Sequence, residues 1–220
     1  MAFSDRRLRA ILDEVNARVF ADIGCDHGYI AVGALVEGRA EKVYAADISE
    51  KSLAKAVALA REKGVFDRLV PVVSDGFERI PERVDSAVIA GLGGLETIKI
   101  LENAEKADKI PETLVLCPHQ HAKELRAYLG AYRIDKDYIV RSGGKYYPVI
   151  VARRGGEGYS ADEVMFGKNT PPGDDFIDMI LSRRRTLEER FSAREMPPNV
   201  KREYEEILGI CSKYKTRYPQ

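Results

Sequence analysis

Cysteine is scarce in this sequence and never occurs in a paired spacing. The three residues, Cys25, Cys117 and Cys211, are odd in number, far apart and without a CxxC motif. This pattern argues against a disulfide framework and against a thiolate metal site. We therefore predict no metal centre.

Long apolar runs are also missing. The opening residues, MAFSDRRLRAIL, lack the apolar core of a signal peptide, and no later stretch approaches the length needed to span a membrane. We expect a cytoplasmic protein with no membrane partner.

A net charge is absent as well, because 35 basic residues balance 35 acidic ones. Without a global positive field, a nucleic-acid partner would have to meet a local basic face. Basic runs on helices are more often solvated surface than binding sites, and both interpretations stay open. The clusters are Arg6-Arg7-Arg9, Arg153-Arg154, Arg183-Arg184-Arg185 and Lys213-Lys215-Arg217.

What the chain does contain is a regular alternation of strand-like and helical stretches. After an amphipathic helix at 5–16, Ser49 is a candidate N-cap and Gly64 a candidate terminator of a later helix. Alternation with short connections predicts βαβ units on a parallel sheet. Strands are predicted at 19–23, 42–48, 69–74, 86–90 and 114–117, and helices at 29–37, 50–63, 95–107 and 123–131.

A hairpin signal follows this alternation. The stretch RIDKDYIVRSGGKYYPVIVARR contains two strand-like runs joined around Gly143 and Gly144. A parallel sheet that is closed by an antiparallel hairpin is typical of class I methyltransferases. The predicted fold is therefore α/β and Rossmann-like, with a seven-stranded, mostly parallel sheet and an antiparallel last strand.

The first glycine turn, in ADIGCDHGYI, contains acids where a phosphate-binding loop would have small, uncharged residues. Asp22 and Asp26 would oppose a pyrophosphate, and GxGxxG is absent. S-adenosylmethionine carries a sulfonium and an ammonium instead, so acids favour its binding, and glycine lets the backbone pass close to it.

Two further acids follow the next strands. Asp47 is placed to bind both ribose hydroxyls, and Asp75 suits the exocyclic amine of adenine. Acids at successive strand ends lie along the crevice where α/β sheets bind ligands. Each acid alone has another explanation as a helix cap or turn residue, and the alternative for the set is a nicotinamide- or nucleotide-binding domain.

Several short motifs together resemble one family, the bacterial tRNA (adenine-22-N1)-methyltransferases. The motifs are DIGCDH at 22–27, AGLGG at 90–94, GKYY at 144–147, RL at 7–8 and FG at 166–167. The resemblance covers nearly the whole chain and implies S-adenosylmethionine as cofactor, tRNA as substrate and 1-methyladenosine at position 22 as product. Cys117-Pro118-His119 departs from the family's Gln-Pro-Asn.

The resemblance also implies roles for individual residues. Asp26 is the candidate catalytic residue, as a carboxylate beside the moving positive charge. Predicted cofactor-binding residues are Asp22, Gly24, Cys25, Asp26, His27, Asp47, Ile48, Ser74, Asp75, Gly76, Ala90, Gly91 and Leu92. Predicted substrate-binding residues are Arg7, Gly93, Gly94, Pro118, His119 and Tyr147.

The predicted organisation has three segments. Residues 1–155 form the S-adenosylmethionine-binding methyltransferase domain, 156–175 a loop-rich connector, and 176–220 a helical hairpin that contacts tRNA. We expect a monomer or weak homodimer. Alternative functions are methylation of another RNA site or of a small molecule, or cofactor binding without catalysis.

Overall fold

The computed structural model describes residues 4–214, except for the side chains of residues 161 and 162. Seven strands form one sheet in the order β3-β2-β1-β4-β5-β7-β6. All neighbours are parallel except β7, which runs antiparallel to β5 and to β6. This confirms the predicted fold class. The strands are β1 Ala17–Ile23, β2 Ala40–Asp47, β3 Leu69–Val73, β4 Ser86–Ala90, β5 Thr113–Cys117, β6 Tyr132–Ser142 and β7 Lys145–Arg154.

Helices lie between strands, before β1 and after β7, and most are close to their predicted positions. The largest differences are at 5–16, where the α-helix ends at Asp13, and at 123–131, where it ends at Tyr128 and the last three residues form a 3₁₀ turn. The helices are α1 Arg6–Asp13, α2 Tyr29–Val36, α3 Glu50–Glu62, α4 Gly94–Lys106, α5 Ala122–Tyr128, α6 Ala161–Phe166, α7 Asp174–Arg190 and α8 Pro198–Lys213.

Local sequence signals explain several of these boundaries. The Ser49 side chain accepts a hydrogen bond from the Ser52 amide at the start of α3, as an N-cap does. Gly64, with a φ of +69°, follows the end of that helix. Gly143 and Gly144 have φ values of +55° and +77°, which suit a two-residue turn between β6 and β7.

Apolar layers cover both faces of the sheet, as a parallel sheet requires. Phe20 of β1 packs into the layer built with α1, α2 and α3. Its neighbours Ala21 and Ile23 face the opposite layer, to which α4 and α5 contribute. Because β1 to β5 run parallel, their carboxyl ends meet along one edge of the sheet.

The region after β7 differs in part from the prediction. The connector contains the short helix α6, which begins with a capping box between Ser160 and Glu163. We name α7 and α8 together the C-terminal hairpin. Its core includes Ile180 and Ile207, whereas Leu208 is 38% exposed and lies outside this core. Lys215 and Arg217 lie outside the described residues.

The C-terminal hairpin packs on the sheet domain. Ile139 of β6 is buried in the same apolar cluster as Phe176 and Ile177 of α7. An ion pair between Arg126 and Asp137, 2.9 Å long with both side chains almost fully buried, joins α5 to β6 beneath the connector. The division into three segments stays a prediction.

Candidate active site

A cavity of about 620 Å³ lies at the carboxyl ends of β1 to β4. Every residue predicted to bind the cofactor lines it, together with Arg7 and His119 from the predicted substrate set. Gly93, Gly94, Pro118 and Tyr147 do not line it. The structure therefore brings the predicted cofactor-binding residues together with two of the predicted substrate residues, while the individual binding roles stay predictions.

Asp22 is the buried acid of the cavity. One carboxylate oxygen accepts a hydrogen bond from the Ala31 amide, 2.9 Å away, in the first turn of α2. Burial raises the pKa of Asp22 to about 7, and the negative charge of Asp47 adds to this rise, although the bond from Ala31 opposes it. A ligand cation beside Asp22 would relieve both effects, because an opposite charge favours the ionised carboxylate.

Glycine is required at the turn after β1 for two reasons. Gly24 and Gly28 both have positive φ values, +72° and +70°, which disfavour a side chain. A Cβ on Gly28 would also lie 2.5 Å from the Cβ of Ala56, so its absence lets α3 pack against this turn.

Asp47 fixes the same turn from the end of β2. One carboxylate oxygen accepts the Asp26 amide at 3.0 Å, and the other accepts the Ser49 amide at 2.8 Å. Each oxygen keeps a further lone pair, so the carboxylate can still accept hydrogen bonds from two ligand hydroxyls.

Asp26 and Asp75 are more open to solvent than Asp22. The Asp26 side chain is 65% exposed and lies 3.8 Å from the Lys55 ammonium and 3.7 Å from His27. Its backbone φ is +44°. Asp75 is exposed after β3. In that turn, the Ser74 hydroxyl accepts from the Arg79 amide and donates to the Gly76 carbonyl.

Next to the cavity, three predicted substrate residues form a cluster that we name the Arg7 corner. Arg7 of α1 lies 2.7 Å from His119 Nε2, and its guanidinium stands over the Tyr147 ring at 5.2 Å. The His119 and Tyr147 rings are 5.5 Å apart. Tyr147 thus supports residues that line the cavity without lining it itself.

Gly93, Gly94 and Pro118 serve the backbone of the neighbouring loops. Gly93 is the N-cap residue of α4. A Cβ on Gly94 would lie 2.2 Å from the His121 carbonyl oxygen, so the residue allows the loops after β4 and β5 to approach closely. Pro118 is buried in the second of these loops.

The sequence prediction missed several lining residues. Asp5 is the N-cap of α1 and also binds the Ser142 hydroxyl at 2.7 Å, which fixes the start of α1 against β6. The capping pattern Ser-Asp-Arg-Arg before an apolar periodic stretch could have indicated Asp5 as a cap, but not its place at the cavity. The other missed lining residues are Leu8, Ile23, Tyr29, Ile30, Ser52, Glu96 and Ile100.

Comparison with known proteins identifies the family. A methyltransferase-domain model matches residues 4–150. The chain is 30% identical over 154 residues to the tRNA (adenine(22)-N(1))-methyltransferase of Bacillus subtilis, and that match spans 68% of this chain and 65% of the relative. The chain is a methyltransferase-family protein. Its similarity to the B. subtilis enzyme agrees with the resemblance of its motifs to the tRNA (adenine-22-N1)-methyltransferases.

Two solved structures share the fold of this methyltransferase over nearly its whole length. The B. subtilis M1A22 tRNA methyltransferase TrmK has a TM-score of 0.74 at 24% identity, with 98% of this chain and 99% of that chain covered. M. capricolum TrmK in complex with S-adenosyl-homocysteine has a TM-score of 0.77 at 22% identity, with 99% and 97% covered. The C-terminal hairpin is therefore within the shared fold.

The cysteines of the methyltransferase do not suit nucleophilic chemistry. Burial raises the pKa of the Cys25 thiol, and the nearby acids Asp22 and Asp47 raise it further. Burial likewise raises the pKa of Cys117 to about 12. Both thiols are therefore protonated at neutral pH, and a protonated thiol is a poor nucleophile.

Most of the predicted basic clusters are neutralised by neighbouring acids. Arg6 pairs with Asp175, Arg9 with Glu37, Arg153 with Asp135 and Arg154 with Asp108. In the C-terminal hairpin Arg183 pairs with Glu203 and Arg184 with Glu188. Of the hairpin residues that the structure describes, five are exposed cations without an ion pair: Arg185, Arg190, Lys201, Arg202 and Lys213.

The described part of the chain has neither a metal-binding cluster nor a membrane-spanning helix. Between residues 4 and 214, no group of three or more His, Cys, Asp or Glu side chains is placed to hold a metal ion. No helix in the same part of the chain has both the length and the apolar character to cross a membrane.

Proposed function

We propose that this methyltransferase transfers a methyl group from S-adenosylmethionine to adenine 22 of tRNA and forms 1-methyladenosine. The cavity at the strand ends is the observation that carries the proposal. There, the buried Asp22 and Asp47, the acid proposed to bind the ribose, lie beside a glycine turn that lacks the GxGxxG motif. Such a site favours a cationic nucleoside over a phosphate. A tRNA substrate locates the reaction in the cytoplasm.

Three carboxylates contact different parts of the methyl donor. Asp22 stabilises positive charge, Asp47 accepts hydrogen bonds from the ribose hydroxyls, and Asp75 accepts one from the adenine amine. Gly24 and Gly91 let the backbone approach, since both have positive φ values and no side chain. When bound, S-adenosylmethionine supplies an electrophilic methyl group.

The acceptor chemistry requires no general base. Adenine N1 has a free lone pair at neutral pH, so it attacks the methyl carbon directly, and the bond between that carbon and sulfur breaks. Positive charge moves from sulfur to the methylated base, and no proton leaves. The protein therefore contributes chiefly in-line positioning, which can lower a barrier by about 7–11 kcal/mol. Asp26, which lines the cavity, is the proposed carboxylate beside this moving positive charge.

The loop after β4 suits this positioning. Ala90, Gly91 and Leu92 line the cavity, and the Gly91 backbone nitrogen donates to the Cys117 carbonyl at 3.3 Å. This loop lacks the proline-aromatic sequence that is common in enzymes that methylate exocyclic amines. We therefore propose attack by the ring nitrogen and not by the amino group.

The direct test is incubation of the protein with labelled S-adenosylmethionine and total bacterial tRNA, followed by nucleoside analysis. We expect label in 1-methyladenosine only. An Asp47→Ala variant in the same assay should lose the label, whereas Asp67→Ala, which changes an exposed acid outside the cavity, should keep it. Cofactor binding without any labelled nucleoside would contradict the proposal and favour a binding module or a small-molecule enzyme.

A further inference from the structure

His119 is held in one place by three contacts. Its backbone N–H donates to the Leu92 carbonyl at 2.9 Å, which joins the loop after β5 to the loop after β4. Its ring centroid lies 5.5 Å from the ring centroid of Tyr147. Its Nε2 atom lies 2.7 Å from Arg7 Nη1. The ring is part of the cavity wall and is exposed to solvent.

The contact with Arg7 determines where the imidazole proton resides. A guanidinium has only donors, so His119 Nε2 must accept this hydrogen bond. Nε2 then carries no proton, the ring is neutral, and the proton lies on Nδ1. A protonated ring would place a second donor against Arg7 and break the contact.

The surrounding charges maintain this neutral form. Desolvation is the largest cause that lowers the pKa of His119, and the positive charges of Arg7 and Lys145 lower it further, while Asp5 opposes them. Tyr147, the other ring in contact, fixes the imidazole plane. No acceptor for Nδ1–H is present among the residues that the structure describes.

We propose that His119 is a base-binding residue whose Nδ1–H donates a hydrogen bond to an unprotonated ring nitrogen of the acceptor purine. The inference rests on the proposed function, because it assigns the purine to this cavity. Arg7 is the positioning residue, since its guanidinium fixes the tautomer of His119. Besides the reacting N1, adenine has unprotonated ring nitrogens at N3 and N7, and a hydrogen bond to either of them orients the ring for attack.

The inference predicts a pH effect on substrate binding and not on the chemical step. Protonation of His119 breaks the Arg7 contact and turns the ring, so KM for tRNA should rise at acid pH while kcat at saturating tRNA changes little. Saturating methyl donor keeps the titration of Asp22 out of the profile. Arg7→Gln keeps a donor but removes the charge, so the acid rise in KM should move to higher pH.

Asparagine is the matched replacement, because its amide has an acceptor for Arg7 and a donor for the base but cannot be protonated. His119→Ala should raise KM for tRNA by about three- to tenfold, as expected for one lost hydrogen bond. His119→Asn should stay within about twofold of the wild type, and its KM should show no acid rise. Nitrogen-15 NMR of the free protein should show the proton on Nδ1, in a measurement that needs no activity.

The outcomes distinguish a failure of the proposed function from a failure of the His119 inference alone. A wild-type protein that methylates no tRNA would contradict the proposed function, and the base contact with it. An active wild type would contradict the His119 inference alone if the NMR shows a proton on Nε2, or if His119→Ala has an unchanged KM. The same holds if His119→Asn is impaired as much as His119→Ala. Thermal unfolding of each variant shows whether the fold is retained.

Discussion

The carboxylate of Asp47 accepts the backbone N–H of Asp26 at 3.0 Å, and this bond fixes the turn after β1 to the end of β2. The residue proposed to bind the ribose thereby also shapes the turn that faces the methyl donor. Loss of Asp47 should affect the ligand contact and the turn together.

Asp47→Ala is expected to weaken S-adenosylmethionine binding at least about tenfold, because each hydrogen bond to a charged acceptor contributes about 1.5–3 kcal/mol. Isothermal titration calorimetry measures the effect, with the exposed Asp67→Ala as control. An unchanged affinity in Asp47→Ala would remove the basis for the ribose assignment, and so would NAD binding more tightly than S-adenosylmethionine.

Asp22 should make cofactor binding dependent on pH near neutrality. Its pKa in the folded protein is raised to about 7, and a cation in the cavity lowers it again. Binding near pH 7 should therefore release a proton, and affinity should fall as the pH drops below 7. Calorimetry in two buffers with different ionisation enthalpies detects this proton, and Asp22→Asn should release none. Equal proton release in both proteins would be inconsistent with the assignment.

The same residue should influence stability in the absence of ligand. Because the pKa of Asp22 is higher in the folded than in the unfolded chain, its contribution to stability is fully present below the unfolded value of 3.8 and is lost as the pH rises through about 7. Between pH 5 and 8, the melting temperature of the wild type should fall relative to that of Asp22→Asn. A constant difference between the two melting curves would show that Asp22 does not titrate in this range.

The buried pair of Arg126 and Asp137 should be important for stability. Asp137 also accepts the Lys168 amide, and Arg126 also donates to the Met165 carbonyl, so the pair holds the connector on the sheet domain. Asp137→Asn should destabilise the fold by about 3–5 kcal/mol, because Arg126 remains buried without a counter-charge.

Asp135→Asn is the control, since Asp135 belongs to a more exposed pair with Arg153, which we expect to contribute less than about 1 kcal/mol. Urea unfolding measures both variants. Similar losses of stability in the two would contradict this account of the connector.

The C-terminal hairpin is expected to contribute phosphate contacts through its unpaired cations. Replacing Arg185 and Arg202 with alanine should lower tRNA affinity and reduce the slope of log affinity against log salt by about 0.7–0.9 for each lost contact. Arg183→Ala, which removes a cation already paired with Glu203, is the control. If the slope is unchanged by the double variant, the hairpin has another role, such as dimerisation.

Much of the parallel part of the sheet could be predicted from sequence, because β1 to β5 are mostly apolar runs next to turn residues such as Gly24, Ser74 and Pro118. The acids at the strand ends meet by topology alone, which is why Asp22, Asp47 and Asp75 were placed at one edge. Helix α6 was missed, since six residues are too few for a helical period to be recognised.

Side-chain contacts between residues far apart in the chain could not be predicted from the sequence. The bond between Arg7 and His119 joins residues 112 positions apart. The neutralisation of Arg183 by Glu203 depends on how α7 and α8 pack. Such contacts depend on tertiary geometry, which periodicity does not specify.

The most direct test of the central claim uses one tRNA transcript in two forms, with adenine or guanine at position 22. The protein is incubated with each form and S-adenosylmethionine, and digested fragments are analysed by mass spectrometry. The account predicts 1-methyladenosine at position 22 of the adenine form and no methylation of the guanine form. N6-methyladenosine, a methylated guanosine, or equal methylation of both forms would contradict it.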